Sequence, residues 1–200
     1  MTVDKLRAEP RVARLIQELK SRSAIEVEDP IARKAAVAIV IRMGEADEPE
    51  VLFIQRAEYE GDPWSGQIAF PGGREEESDP SLMNTAIRET LEEISIDLGV
   101  DAELVSALDD LHPQSIRLPA VVVRPFVFLA SALPDPVLSS EVADLFWVPL
   151  SVLLDRSVWK EATVRAGGYE MSRFAFHHRG YVVWGMTERI LSGMLSLLGE

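Results

Sequence analysis

The chain of 200 residues contains no cysteine, which excludes a disulfide framework, a thiolate metal site and a cysteine nucleophile. Histidine is scarce: His112, His177 and His178 are all there are, and no two stand at a ligand spacing. A bound metal is therefore expected on oxygen or imidazole donors. Basic residues are also in short supply, with 20 Lys and Arg against 33 Asp and Glu, a net charge of -13. Without a basic stripe, a long phosphate backbone cannot be held by bulk electrostatics, so nucleic acid is not an expected partner. A small phosphorylated molecule stays open, provided cations neutralise the local charge. No apolar run reaches the eighteen or so residues of a membrane span. Met1 to Arg22 lacks the apolar block of a secretory signal, which predicts a cytoplasmic location. No GxSxG, P-loop or Rossmann fingerprint appears, against a hydrolase triad, a kinase or a dehydrogenase.

What is present reads as an α+β chain. Leu6, Val12, Leu15, Ile16 and Leu19 recur at near-helical spacing, with Pro10 marking the helix start. Ala35–Ile41 and Val51–Gln55 are apolar, β-branched runs around a polar connection, a likeness to a hairpin. Gln67–Phe70, Ala102–Leu111, Ala120–Leu129, Leu145–Val148, Trp159–Arg165 and Phe174–Val182 supply further strands. Pro125 lies inside one of them, so that strand is expected at an edge or a bulge. Thr187–Leu198 closes the chain as an amphipathic helix. Strands and helices mix without a regular βαβ repeat, which predicts an α/β/α sandwich with a mixed central sheet. Residues 1–30 are expected as an N-terminal helical extension packed on a domain of residues 31–200.

The chemistry concentrates between Gly66 and Val100. Asp79-Pro80 is a helix start signal, with Asp79 as N-cap and Pro80 at N1. In the helix that follows, Glu89, Glu92 and Glu93 stand at i, i+3 and i+4 and share one face. Met83, Ile87, Thr90, Leu91 and Ile94 gather opposite, suited to packing on a sheet. Three crowded carboxylates repel one another unless a cation intervenes, and carboxylate oxygens are the preferred ligands of magnesium and manganese. Arg88, four residues before Glu92, is placed to orient an acid. The alternative is a solvated acidic face. Against it, Pro71-Gly72-Gly73 precedes the helix by a short loop, where glycines allow close backbone approach and expose carbonyls.

This segment resembles the Nudix box, Gx5Ex7REUxEExGU with U aliphatic. Gly73 matches the opening glycine, Arg88 to Glu93 match REUxEE except at Thr90, and Ile96 takes the closing apolar position. Three positions depart. The spacing from Gly73 to Arg88 is one residue longer, Asp79 replaces the intermediate glutamate, and Ser95 replaces the late glycine. Upstream, Leu52 to Gly73 is similar to the signature of Nudix coenzyme A pyrophosphatases, roughly LLTxR(S/A)x3Rx3Gx3FPGG. Arg56-Ala57 and Gly66 with Phe70-Pro71-Gly72-Gly73 fit it, and the closing Trp184-to-Leu198 helix also looks like that branch. Ile54 replaces a threonine and Asp62 an arginine. An aspartate at 62 would repel the extra phosphate of coenzyme A.

The resemblance implies a Mg²⁺- or Mn²⁺-dependent hydrolase of a nucleoside diphosphate linked to a moiety X. Coenzyme A and its derivatives, ADP-ribose and dinucleotides are the candidates. The metal ligands implied are Glu89, Glu92, Glu93 and the Gly73 carbonyl. Arg88 would orient an acid, and Glu89 or Glu141 would serve as general base. Arg56 and Arg74 are candidates for phosphate, and Phe70, with Trp64 and Phe128, for the border of a base slot. A homodimer fits the resemblance. The rival from another class is a non-catalytic Nudix-like module that binds a nucleotide or a protein.

Overall fold

The structure, a computed structural model, describes residues 3–61, 64–113, 119–166 and 169–199. Asp62 and the Gln114-Ser115 part of the turn before the second long strand lie outside the described residues. In chain order the elements are α1 (Val3–Ala8), α2 (Pro10–Lys20), β1 (Arg33–Met43), β2 (Pro49–Arg56), β3 (Ile68–Ala69), β4 (Gly72–Arg74) and α3 (Leu82–Ile94). Then come α4 (Leu98–Asp101), β5 (Ala102–Ala107), β6 (Val121–Ala130), β7 (Val142–Pro149) and α5 (Leu150–Leu154). A 3₁₀ turn (Arg156–Val158), β8 (Trp159–Ala166), β9 (Tyr169–His178), β10 (Tyr181–Val183) and α6 (Gly185–Ser196) follow.

Period-two alternation along the central strands creates the layers. On β1, Ala35, Ile39 and Ile41 enter one core while Ala36, Ala38 and Val40 enter the other. On β2, Val51 and Phe53 oppose Leu52 and Ile54 in the same way. Helix α3 covers one face through Ala86 and Ile94. Leu6, Val12, Leu15 and Leu19 of α1 and α2, with Ile190, Leu191 and Met194 of α6, cover the other. Each such buried Val, Leu, Ile or Met stabilises the packing by about 1.5–3 kcal/mol. The result is the expected α/β/α sandwich around a mixed sheet.

Among the described residues the main sheet has seven strands in the path β3-β2-β1-β6-β5, with β4 pairing β1 and β7 pairing β2. The β1–β6 pairing is parallel, in register from Arg33 with Val121 to Arg42 with Ala130. The other pairings are antiparallel. A second sheet, β10-β9-β8, forms an antiparallel arm. No helix among the described residues is long and apolar enough to cross a membrane.

Three local expectations need correction. Pro125 does not sit at an edge, because β6 is paired on both sides. Its carbonyl accepts from the Leu108 N–H at 2.9 Å, just past the end of β5. The missing N–H therefore faces the place where the neighbouring ladder has stopped, near a register shift in β5 between Leu104 and Ser106. The first helix also begins before Pro10: α1 precedes it, and Glu9 caps α2 by accepting from the Val12 N–H at 2.9 Å. Finally, Leu91 is 45% exposed rather than packed on the sheet.

The sheet is also split. Strand β1 bonds β2 only at Ile41–Met43, then diverges and bonds β4 at Ala35–Val37. Beyond the fork β2 pairs β3, through Ile54 and Gln55. This opening positions the site.

Candidate active site

Helix α3 is capped by Ser81, whose hydroxyl accepts from the Asn84 N–H at 3.3 Å. Asp79, expected at the N-cap, is engaged elsewhere. Its carboxylate takes Nε and Nη2 of Arg88, each at 2.9 Å, together with the Thr85 hydroxyl at 2.9 Å. The Arg88 guanidinium holds the Asp79 carboxyl well below the usual carboxylate range. Arg88 also donates to the Arg74 carbonyl at 2.9 Å, to Glu89 at 3.0 Å and to Glu92 at 3.3 Å. Arg88 thus ties the loop before the helix to the acids on it. Thr90, at an aliphatic position of the box, is fully buried, and its hydroxyl donates to the Ala86 carbonyl at 2.7 Å. That internal bond lets a polar side chain occupy an apolar site.

The three helix carboxylates meet different surroundings. The Glu93 side chain is 4% exposed; it accepts from the Gly72 N–H at 2.9 Å and faces Arg56 at 3.9 Å. Burial pushes its pKa up to about 8, against the pull of the Gly72 N–H and Arg56. Glu89 is raised too, by burial first, with Arg88 opposing. Glu92 is 59% exposed and leans on Arg88 at the flank. Among the described residues, no group of three or more His, Asp or Glu side chains forms a ready-made ion cage.

Glycines hold the wall against these acids. A Cβ on Gly73 would collide with the Glu89 carboxylate, and one on Gly72, at φ 149°, with the Ala36 carbonyl. Both belong to β4, paired to β1 at the sheet fork.

A cavity of about 460 Å³ fills the fork. Glu89, Glu93 and Glu141 line it together with Arg56, Arg74, Gly72 and Gly73. Glu141 is exposed just before β7 and its carbonyl accepts from the Ala57 N–H at 2.8 Å. The fold therefore gathers the predicted acids Glu89, Glu93 and Glu141 with the predicted cations, and leaves Glu92 outside the lining. Phe70 touches the cavity but is 1% exposed and stacks on Phe53 at 5.0 Å, so most of its surface serves the core. Phe128 is 1% exposed, in the core under α3, and Trp64 lines the cavity.

Glu89 and Glu93, both raised by burial, each face one guanidinium, Arg88 and Arg56 respectively, and further positive charge would favour their ionised forms. The donor set is all oxygen, which suits magnesium or manganese and not a soft metal. The residues fit such an ion.

The NUDIX domain family model matches residues 32–167, the span that holds the split sheet, α3 and the cavity acids. This chain is a member of the Nudix family. Nudix enzymes hydrolyse pyrophosphate bonds of nucleoside diphosphate derivatives. The uncharacterised Nudix hydrolase NudL of Yersinia pestis is 33% identical over 160 residues, 80% of this chain and 76% of that protein. An uncharacterised protein of Schizosaccharomyces pombe is 38% identical over 141 residues, 61% of this chain; the chain spans only 43% of that protein's length. Among solved structures, a MutT/nudix family protein from Enterococcus faecalis matches 98% of this chain and 79% of its own, at 18% identity and TM-score 0.51. A C. elegans Ap4A hydrolase matches 60% of this chain and 82% of its own, at 22% identity and TM-score 0.50. These two likenesses are of fold.

Sequence reasoning missed Asp79 as the main partner of Arg88, although an acid six residues after Gly73, where the Nudix box carries one, was the available signal. It also missed the cavity wall contributed by α6, through Met186, Thr187 and Ile190. No spacing rule brings residues 185–190 next to residues 35–37; only the fold does.

Proposed function

We propose that this Nudix protein hydrolyses the diphosphate bond of a nucleoside diphosphate linked to a moiety X, with Mg²⁺ or Mn²⁺ held by Glu89, Glu92, Glu93 and the Gly73 carbonyl. The observation that carries the reading is the convergence of Glu89, Glu93, Glu141 and Arg56 on one cavity in the sheet fork. Bound there, the cation supplies neutralisation of the diphosphate and a more acidic water. The chain's own residues do the rest. Arg56 and Arg74 pair with phosphate oxygens. Arg88, held by Asp79, fixes Glu89 and Glu92 at the carboxylate oxygens it donates to. The Gly72 N–H orients Glu93. Water attacks one phosphorus, its proton passes to the carboxylate of Glu141 or Glu89, and the bridging P–O bond breaks.

Coenzyme A is the first candidate among substrates, supported by the run from Leu52 to Gly73; ADP-ribose and dinucleotides are the alternatives. The test is a product-analysed panel of coenzyme A, ADP-ribose, NADH and diadenosine polyphosphates with each metal. Hydrolysis lost in Glu93→Gln supports the reading. If wild type and Glu93→Gln are equally inactive across the panel, the chain is a binding module. If coenzyme A yields no 3′,5′-ADP while another member is cleaved, the hydrolase reading stands and that substrate falls.

A further inference from the structure

The cavity has two chemically unlike ends, and the split sheet explains why. Among the described residues its charged lining, Arg56, Arg74, Glu89, Glu93 and Glu141, comes from β2, β4, α3 and the approach to β7. The part contributed by β1, β6 and α6 carries no charge: Ala35, Val37, Val121, Val123, Met186 and Ile190, with Thr187 its one polar side chain. Register explains the grouping. Ala35 pairs with Val123 and Arg33 with Val121, so these β1 and β6 side chains point to the same face, the one covered by α6. The carboxylate helix α3 lies on the opposite face. The cavity therefore passes through the fork, from acids on the α3 side to an aliphatic compartment on the α6 side.

A nucleobase is poorly served by that compartment. Its edges need hydrogen-bonding groups, which the aliphatic walls lack, and the ring on that side, Phe70, is 1% exposed and already stacked on Phe53. Trp64 and Gln67, elsewhere on the lining, supply a ring and an amide. A sugar rich in hydroxyls would also lose water there without replacement partners.

Resting on the hydrolase reading above, we propose that the compartment walled by Val37, Val123, Met186 and Ile190 is the specificity pocket for moiety X, and that it selects an uncharged, largely aliphatic X. The nucleotide then lies toward Trp64, Gln67 and Arg56, and the diphosphate spans the acids between.

The test compares two ADP esters that differ only in X, the hexyl ester of ADP and ADP-ribose, in the presence of Mg²⁺. Wild type is expected to favour the hexyl ester in kcat/KM by at least about tenfold, mainly through KM. Met186→Glu, which puts a carboxylate into the aliphatic wall, is expected to cut that preference about tenfold or more, whereas Met186→Leu keeps it. Thermal unfolding identifies a variant that fails to fold, and Thr187→Asp then takes its place. A wild-type preference for ADP-ribose, or a preference unchanged in a folded Met186→Glu, overturns the proposal. If neither ester is cleaved, the hydrolase reading is decided by the panel of coenzyme A, NADH and diadenosine polyphosphates, not by these two esters. Calorimetric binding of the same esters then decides the pocket: tighter binding of the hexyl ester, lost in Met186→Glu, supports it, and equal binding overturns it.

Discussion

Arg88 grips Asp79 in a two-point clamp, Nε on one carboxylate oxygen and Nη2 on the other, both at 2.9 Å. The Asp79 side chain is only 5% exposed and Arg88 20%, so the pair is largely shielded and geometrically specific. The clamp anchors the loop after β4 to the middle of α3 and leaves Nη1 of Arg88 for Glu89 and Glu92. A change at Asp79 therefore reaches the acids through Arg88.

Asp79→Asn keeps the shape and removes the charge. Because it leaves Arg88 partly buried beside a neutral group, we expect a loss of about 2–3 kcal/mol, less than a fully buried pair would cost. Urea unfolding at pH 7 measures it. The sign with pH follows from the depressed Asp79 pKa: the contribution is fully present above the ordinary carboxylate range and is lost as pH falls below it. The gap between wild type and Asp79→Asn should thus shrink in acid, below about pH 4. A gap unchanged from pH 7 to pH 3 would contradict the charge pairing.

Ser95 ends α3 in the left-handed region, at φ 59° and ψ 31°, with its N–H donating to the Leu91 carbonyl at 2.9 Å. This is the position at which the Nudix box carries glycine, and the backbone shows why. A Cβ is disfavoured there, whereas glycine adopts the conformation freely. Ser95→Gly is expected to stabilise the protein by about 0.5–1 kcal/mol, with activity unchanged. A fall in thermal midpoint would contradict this account.

The sequence made the repeating features legible and hid those that depend on distant partners. The apolar, β-branched run Ala35–Ile41 predicted a buried strand, and the spacing of Glu89, Glu92 and Glu93 predicted the carboxylate helix. The same spacing could not separate buried Glu93 from exposed Glu92, because that depends on where β4 passes. Asp79 looked like a cap because Asp-Pro is a strong local signal, yet Ser81 two residues on served instead and freed Asp79 for Arg88. Pro125 looked like the mark of an edge or a bulge, and only the end of β5 at Ala107 shows how an interior strand tolerates it. Local chemistry was readable; partner choice across the fold was not.

Gly73 leaves no space beside Glu89. Gly73→Ala should push the Glu89 carboxylate from its place while β4 keeps its pairing with Ala36. A displacement on the scale of an ångström costs about 10²-fold in rate in a positioned site. We expect kcat/KM to fall by about that factor, with a thermal midpoint close to wild type. An active Gly73→Ala variant would remove the Glu89–Gly73 contact from the account of the site.

In the proposed metal site, Glu93 would couple protons to metal. Without a cation its pKa stands at about 8, above the ordinary 4.5, with burial the leading cause. Between these values the folded protein holds a proton that the unfolded chain has released, so metal-free stability should decline as pH rises from about 4.5 to 8. A divalent cation needs Glu93 ionised and competes with that proton. Mg²⁺ should therefore raise the thermal midpoint little at pH 5 and much more at pH 8. Binding at pH 7 should release close to one proton, read by calorimetry in buffers of different ionisation enthalpy. Glu93→Gln should abolish the proton release and flatten the pH dependence of metal-free stability. If Mg²⁺ stabilised the wild type equally at pH 5 and pH 8, Glu93 would not be the group that the cation displaces a proton from.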